Sequence, residues 1–229
     1  MMQCPHCRRN IGNATKVCPC GHTQISVIRQ YFIDRAKELV SLASGGAVWP
    51  FICCSTFIEY MAKMSVDPTT VRQRRNAYGT QHPTDDGVYV TFINQYFPAK
   101  YNNFHYTNQM LVNEPFFGGR INVRTDKCLP YKMYSVLRCG LVHGFSLIDD
   151  KSPMSFPRSI FIEHRGESQS QHLEHKSDAQ HDAALFISED FAQDILKVTK
   201  ELFNKAKNDM VLKKRIVEYY HNKPPVQAL

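Results

Sequence analysis

No run of apolar residues in this chain is long enough to cross a bilayer. The longest, Ala47 to Cys54, is broken by Pro50, where a spanning helix needs about 20 apolar residues. Residues Met1 to Asn10 lack an apolar stretch behind their arginines, so no targeting signal is expected and neither is a membrane partner. Acidic side chains are missing from residues 1 to 24, which hold three basic residues and half of the eight cysteines. Charge is otherwise unremarkable in amount, at 21% of residues against 43% hydrophobic. That composition excludes a disordered chain and predicts a packed fold.

What is present in excess is positive charge. Lys and Arg number 28 against 21 Asp and Glu, a net +7. The balance favours polyanionic partners such as nucleic acid without specifying one. Disulfides are not the expected use of the cysteines, because Cys4, Cys7, Cys18 and Cys20 stand in metal-ligand spacing and Cys53 and Cys54 are adjacent in an apolar stretch. A reducing, cytoplasmic setting is the expectation.

The first motif is Cys4-Pro-His-Cys7, ten residues, then Cys18-Pro-Cys20-Gly21. Each short turn brings two thiolates within reach of one ion, and glycine beside a ligand permits the tight turn that aims backbone amides at sulfur. The order resembles a zinc ribbon, a hairpin too small to hold a core without its metal. Four occupied ligands leave no open position, so the expected cofactor is structural zinc; His6 and His22 are read as spectators. A module boundary is placed near Gln24, dividing a ribbon over residues 1–24 from a larger domain over 25–229.

The larger domain reads as mainly α, a helical bundle with a small β-hairpin insertion. Ile28, Phe32, Ala36, Leu39 and Ala43 form one stripe over residues 25–43. A second helix is predicted from Pro50 with Phe51, Cys54, Ile58 and Met61 inward, and a short third with Val90, Ile93 and Phe97. Residues 65–87 read as polar and basic, and 101–124 as ordered loop. Pro130 opens a helix through Tyr134, Leu137 and Leu141 to about His143, with Gly144 placed to cap it. Ser159–His164 and Ala184–Ile187 are expected to pair as a hairpin with a long hydrophilic tip. Ser188 is a predicted N-cap for a helix carrying Phe191, Ile195, Val198 and Leu202, and a last helix ends at Asn222.

The second motif is Arg138-Cys-Gly-Leu-Val-His143-Gly144. With Leu137, Leu141 and Val142 around it, this resembles the HEPN superfamily, whose ribonuclease members carry Arg-x4-6-His in a helical bundle. The resemblance implies a metal-independent endoribonuclease with Arg138 and His143 as catalytic residues, RNA as partner, a homodimer, and a setting in toxin–antitoxin pairs or phage defence with a possible antitoxin. On its own chemistry the pair is suitable. A histidine near neutrality can exchange a proton with a ribose 2′-hydroxyl, and an arginine can clamp the phosphorane charge. On a regular α-helix, five residues give an offset of about 7.5 Å and about 140°. Two copies meeting about a two-fold axis would then be needed to surround one phosphate.

Many active members have Asn, Asp or His directly after the arginine, whereas this chain has Cys139, a weak hydrogen-bonding group. Three readings therefore stand: the nuclease, a silent HEPN module that binds nucleic acid, nucleotide or a protein partner, and a regulator whose ribbon contacts DNA or the transcription machinery. Taken without its flanking residues, the Arg–His pair also reads as a capping arginine and a helix-end histidine. Asp34 and Glu59 are candidates to orient the pair, with nothing in the spacing to choose between them. His172-x2-His175 reads as a solvated loop rather than a metal site, Arg72, Arg74 and Arg75 as either phosphate contacts or an exposed basic loop, and Phe104, Tyr106, Phe116 and Phe117 as core or loop anchors rather than base-stacking platforms.

Overall fold

The stripe of Ile28, Phe32, Ala36, Leu39 and Ala43 is buried along one face of α1 (Ile25–Ala43), with Ile33 beside it. The structure, a computed structural model, describes residues 2–3, 10–11, 24–45, 48–71, 73–75, 81–104, 106, 129–144, 147, 159–177 and 182–225. Ahead of α1, strands β1 (Met2–Gln3) and β2 (Asn10–Ile11) pair antiparallel. Cys4, Cys7, Cys18 and Cys20, with His6 and His22, lie outside the described residues.

Helix α2 (Val48–Ser65) carries Pro50 in its first turn and buries Phe51, Cys54, Ile58, Met61, Ala62 and Met64. That burial covers about half of its circumference, a wider band than the stripe of a surface helix. It packs against every major helix of the domain. A single 3-10 turn (Pro68–Thr70) follows, and then two short strands the sequence did not announce, β3 (Gln73–Arg75) and β4 (Gln81–Pro83), pair antiparallel. Arg74 and Arg75 therefore belong to a strand rather than a loop; Arg72 is outside the described residues.

Helix α3 (Asp85–Tyr96) begins where the Thr84 hydroxyl accepts from the Gly87 amide, with Asp85 and Asp86 favourably placed at its positive end. Its inward face is Val88, Tyr89, Phe92, Ile93 and Tyr96, one residue off the expected stripe at Tyr89. The single turn α4 (Ala99–Asn102) buries Tyr101 completely, and Phe104 and Tyr106 are buried as anchors. Phe116 and Phe117 fall outside the described residues.

The next helix is continuous from Leu129 but not uniform. A first α-turn, α5 (Leu129–Lys132), leads into a π-helical stretch (Met133–Gly140) and then α6 (Leu141–Gly144). The uniform helix expected from Pro130 to His143 is corrected to this mixed one.

The expected hairpin is also corrected. β5 (Ile160–Glu163) runs parallel to β7 (Asp182–Ile187), from Ile160 opposite Ala184 to Glu163 opposite Ile187. The turn-back instead joins β6 (His175–Ser177) to β7, giving the order β5-β7-β6. A parallel pair needs a crossover of a dozen or more residues, which the segment 164–181 supplies. Ala183 to Ile187 are all fully buried, the continuous apolar run of a central strand covered on both faces.

Helices α7 (Ser188–Asn208) and α8 (Met210–Asn222) close the bundle, α7 lying along α1. The Ser188 hydroxyl does not cap α7. It donates to the Ala43 carbonyl at 2.8 Å and so fastens the start of α7 to the end of α1. The observed architecture is mainly helical with one small three-stranded sheet. No helix among the described residues is long and apolar enough to cross a membrane.

Candidate functional site

Arg138 projects from the π-stretch. The Leu141 amide there donates to the Val136 carbonyl, five residues back, in place of the four-residue step of an α-helix. Residues five apart consequently meet: a side-chain hydrogen bond links Tyr134 to Cys139. The same widening disturbs the local serine. Buried Ser55 and Ser65 on α2 each donate to the carbonyl four residues back, at 2.7 and 2.6 Å. The buried Ser135 hydroxyl has no partner among the described residues.

Glu59, from the middle of α2, receives Arg138 Nε at 2.6 Å on Oε2 and Lys63 Nζ at 2.7 Å on Oε1. Lys63 also reaches Asp85 of α3 at 3.1 Å. The chain Arg138–Glu59–Lys63–Asp85 thus ties the π-stretch, α2 and α3 together. The Arg138 and Glu59 side chains are 19% and 12% exposed, buried enough for their charges to interact strongly yet open on one side. Burial raises the proton affinity of Glu59, but hydrogen bonds from Arg138 and Lys63 outweigh it and hold the carboxyl below its ordinary range. Burial opposes the charge on Arg138, and the bond to Glu59 overcomes that and keeps the guanidinium firmly protonated.

Of the two orienting candidates, the structure brings Glu59 to Arg138 and not Asp34. Asp34 sits on the exposed face of α1 with Gln30 and Lys37. His143 lies on the α6 backbone, five residues beyond Arg138, and its side chain is outside the described residues, as are Cys4, Cys7, Cys18 and Cys20. Among the described residues no group of three or more His, Cys, Asp or Glu could hold a metal ion.

Tyr89 of α3 lies beneath this chain, its ring edge-on to Tyr134 at 5.5 Å. Its hydroxyl is buried without a partner among the described residues; burial, then Cys54, then Glu59, holds its proton more tightly than usual.

A second polar cluster sits elsewhere, against the sheet. His172, read from the sequence as part of a solvated tip, is enclosed with its side chain only 4% exposed. Its Nδ1 accepts from the Ile187 amide at 3.0 Å, and its Nε2 lies 2.9 Å from the Tyr101 hydroxyl. Tyr101 in turn donates to Asp194 at 3.1 Å, which also takes Lys100 at 2.6 Å and Lys197 at 3.2 Å. The acceptor role of Nδ1 places the ring proton on Nε2. Burial, then the nearby Lys100 charge, drives the His172 pKa down to about 3, so the ring is neutral. His175 packs its ring on Phe104 at 5.4 Å instead of joining His172 at a metal. Every member of the second cluster is matched to a partner, the signature of a fastening.

Scans against protein-family models, curated proteins and solved structures found no match. The chemistry of this site accordingly rests on its own geometry.

Proposed function

We propose that the chain is a metal-independent endoribonuclease of HEPN type, working as a homodimer on RNA, with Arg138 and His143 as its catalytic residues. The observation that carries this reading is the Glu59–Arg138 bond at the π-stretch. Fixing Nε sets the plane of the guanidinium, whose terminal nitrogens are the pair that clamps phosphate oxygens. His143, five residues further along and near the helix end, exchanges the proton of the 2′-hydroxyl or the leaving oxygen. A second copy completes the enclosure of the phosphate. Structural zinc on Cys4, Cys7, Cys18 and Cys20 would supply only a folded ribbon. The β1–β2 pair that brackets Cys4 and Cys7 supports such a ribbon, which positions RNA or a protein partner such as an antitoxin.

The test is a cleavage assay of purified protein on mixed RNA with and without chelator. Cutting that survives chelation and leaves 2′,3′-cyclic phosphate ends supports the nuclease; RNA left intact in all conditions refutes it. A second reading draws on the same bond: Glu59 neutralises Arg138, and Cys139 follows it. On that reading the domain is a silent HEPN module that binds nucleic acid, nucleotide or protein, and intact RNA bound without cutting would establish it.

A further inference from the structure

Four half-buried tyrosines form one row across α1, α8 and α2: Tyr31, Tyr220, Tyr60 and Tyr219. Tyr31 and Tyr220 meet edge to face at 6.1 Å, and Tyr60 and Tyr219 at 5.4 Å. Buried Phe32 joins the two pairs, 5.4 Å from Tyr60 and 6.3 Å from Tyr220. The Tyr60 hydroxyl donates to the Lys223 carbonyl just past α8 and so pins that helix end to α2. Cations cover two of the rings: Arg35 stands 5.5 Å above Tyr31 and Lys223 stands 5.9 Å above Tyr219. Both cations are exposed side chains. A ring face that takes such a cation is not sealed by the core and is open to what the solvent brings. The Tyr219 end of the row adjoins the chain of charges at Arg138. Tyr60 follows Glu59 directly on α2 and precedes Lys63 by three residues, and Glu59 holds both Lys63 and Arg138. Burial lifts the Tyr219 pKa, Lys63 works against it, and Glu59 and Asp85 add to it, so that the charges of the chain are felt at the ring.

We propose that this row is a track for single-stranded RNA leading to Arg138, in which the tyrosine rings stack unpaired bases while Arg35 and Lys223 turn from the rings to the phosphates. Rings interleaved with cations suit a single strand. Every base offers a π-face that an aromatic ring can take, and every phosphate needs a counter-charge. The net charge of +7 favours the same partner. A duplex has its bases already stacked on one another and has none to give the rings. The choice of RNA rests on the nuclease reading, but the track is read by binding, which is separate from cutting.

Fluorescence anisotropy with a labelled single-stranded RNA carrying 2′-O-methyl groups throughout tests the track apart from cleavage, because the blocked oxygen cannot attack. Tyr219→Ala and Tyr31→Ala should each weaken binding about tenfold, whereas Tyr219→Phe and Tyr31→Phe, which keep the ring, should stay within about twofold of the parent. Lys223→Gln should make the dependence on salt shallower by about one phosphate contact. The alanine changes should not alter the binding of a duplex of the same sequence, nor that of polyphosphate, which has no bases. Alanine variants that bind the strand as tightly as the parent overturn the proposal. So does an equal loss on polyphosphate, which would mark a charged surface only. If an alanine variant does not fold, Tyr219→Leu and Tyr31→Leu keep the bulk without the flat ring and should bind as weakly. A parent protein that binds the strand through these rings but cuts no RNA removes the nuclease and leaves the track. A parent that cuts RNA, with KM unchanged in the alanine variants, removes the track and leaves the nuclease.

Discussion

The two polar clusters differ in how they are closed. Around His172, each donor meets an acceptor: the Ile187 amide, the imidazole, Tyr101, and Asp194 with two lysines. Around Arg138, charges are linked in a chain but two buried hydroxyls, on Tyr89 and Ser135, have no partner among the described residues, and the helix itself departs from α-geometry. A satisfied network fastens; an unsatisfied one beside an irregular helix stores the means to rearrange. The contrast separates a cluster whose polar groups are all partnered from one whose buried hydroxyls are not, among the described residues.

Breaking the chemical cluster should show the largest effect. Arg138→Ala and His143→Ala are each expected to reduce RNA cleavage by about 10² to 10⁴, with far-ultraviolet circular dichroism unchanged. Variants that cut at the parental rate would end the role of this motif.

Acid should strike the fastening next. The folded-state pKa of His172 is about 3, against an ordinary 6.5. Between those values the unfolded chain binds a proton that the folded chain refuses. Stability should therefore fall as pH drops through that window, by up to about 1.4 kcal/mol per unit. Asp194, which burial pushes up and Lys100 more than pulls back down, adds further loss at the acid end. Urea unfolding at several pH values reads the slope, and His172→Gln should flatten it.

Asp194→Ala sharpens the comparison at a smaller scale. Lys100 and Lys197 are 43% and 66% exposed and can turn to water, so the cost falls on Tyr101, whose buried hydroxyl loses its acceptor. A loss of about 1–3 kcal/mol is expected, with cleavage per folded molecule unchanged. A drop in cleavage beyond the folded fraction would merge the two clusters into one functional unit.

The smallest effect on the helical domain should come from the ribbon. Purified protein should carry about one zinc per chain, and Cys4→Ser should lose it while the unfolding midpoint of the helical domain holds. Zinc-free parental protein would remove the ribbon from this picture.

Sequence periodicity predicted most of the helical framework, because α1, α7 and α8 each carry one long apolar stripe whose spacing is local information. What escaped it depended on partners far along the chain. Glu59 was named beside Asp34, but its choice rests on an arginine 79 residues away. Tyr89 lies off the stripe expected through Val90, so periodicity does not single it out. His172 sits in a polar segment whose composition reads as solvated, yet Phe186 and Phe191 close over its ring at 5.4 and 6.3 Å. The π-stretch has no propensity signature at all, and alternation in β5 and β7 could not say whether they run parallel or antiparallel.

That parallel pairing has a temporal consequence. The β6–β7 turn joins residues close in sequence, and such contacts close on the microsecond scale. β5 can dock only after the intervening chain has folded back across the sheet, a longer-range closure that raises contact order and slows assembly. The order of events is thus built into the sheet: β7 is first paired on the β6 side, and the edge that awaits Ile160–Glu163 stays open until last. Until β5 docks, that open edge marks the interval when another strand could take its place.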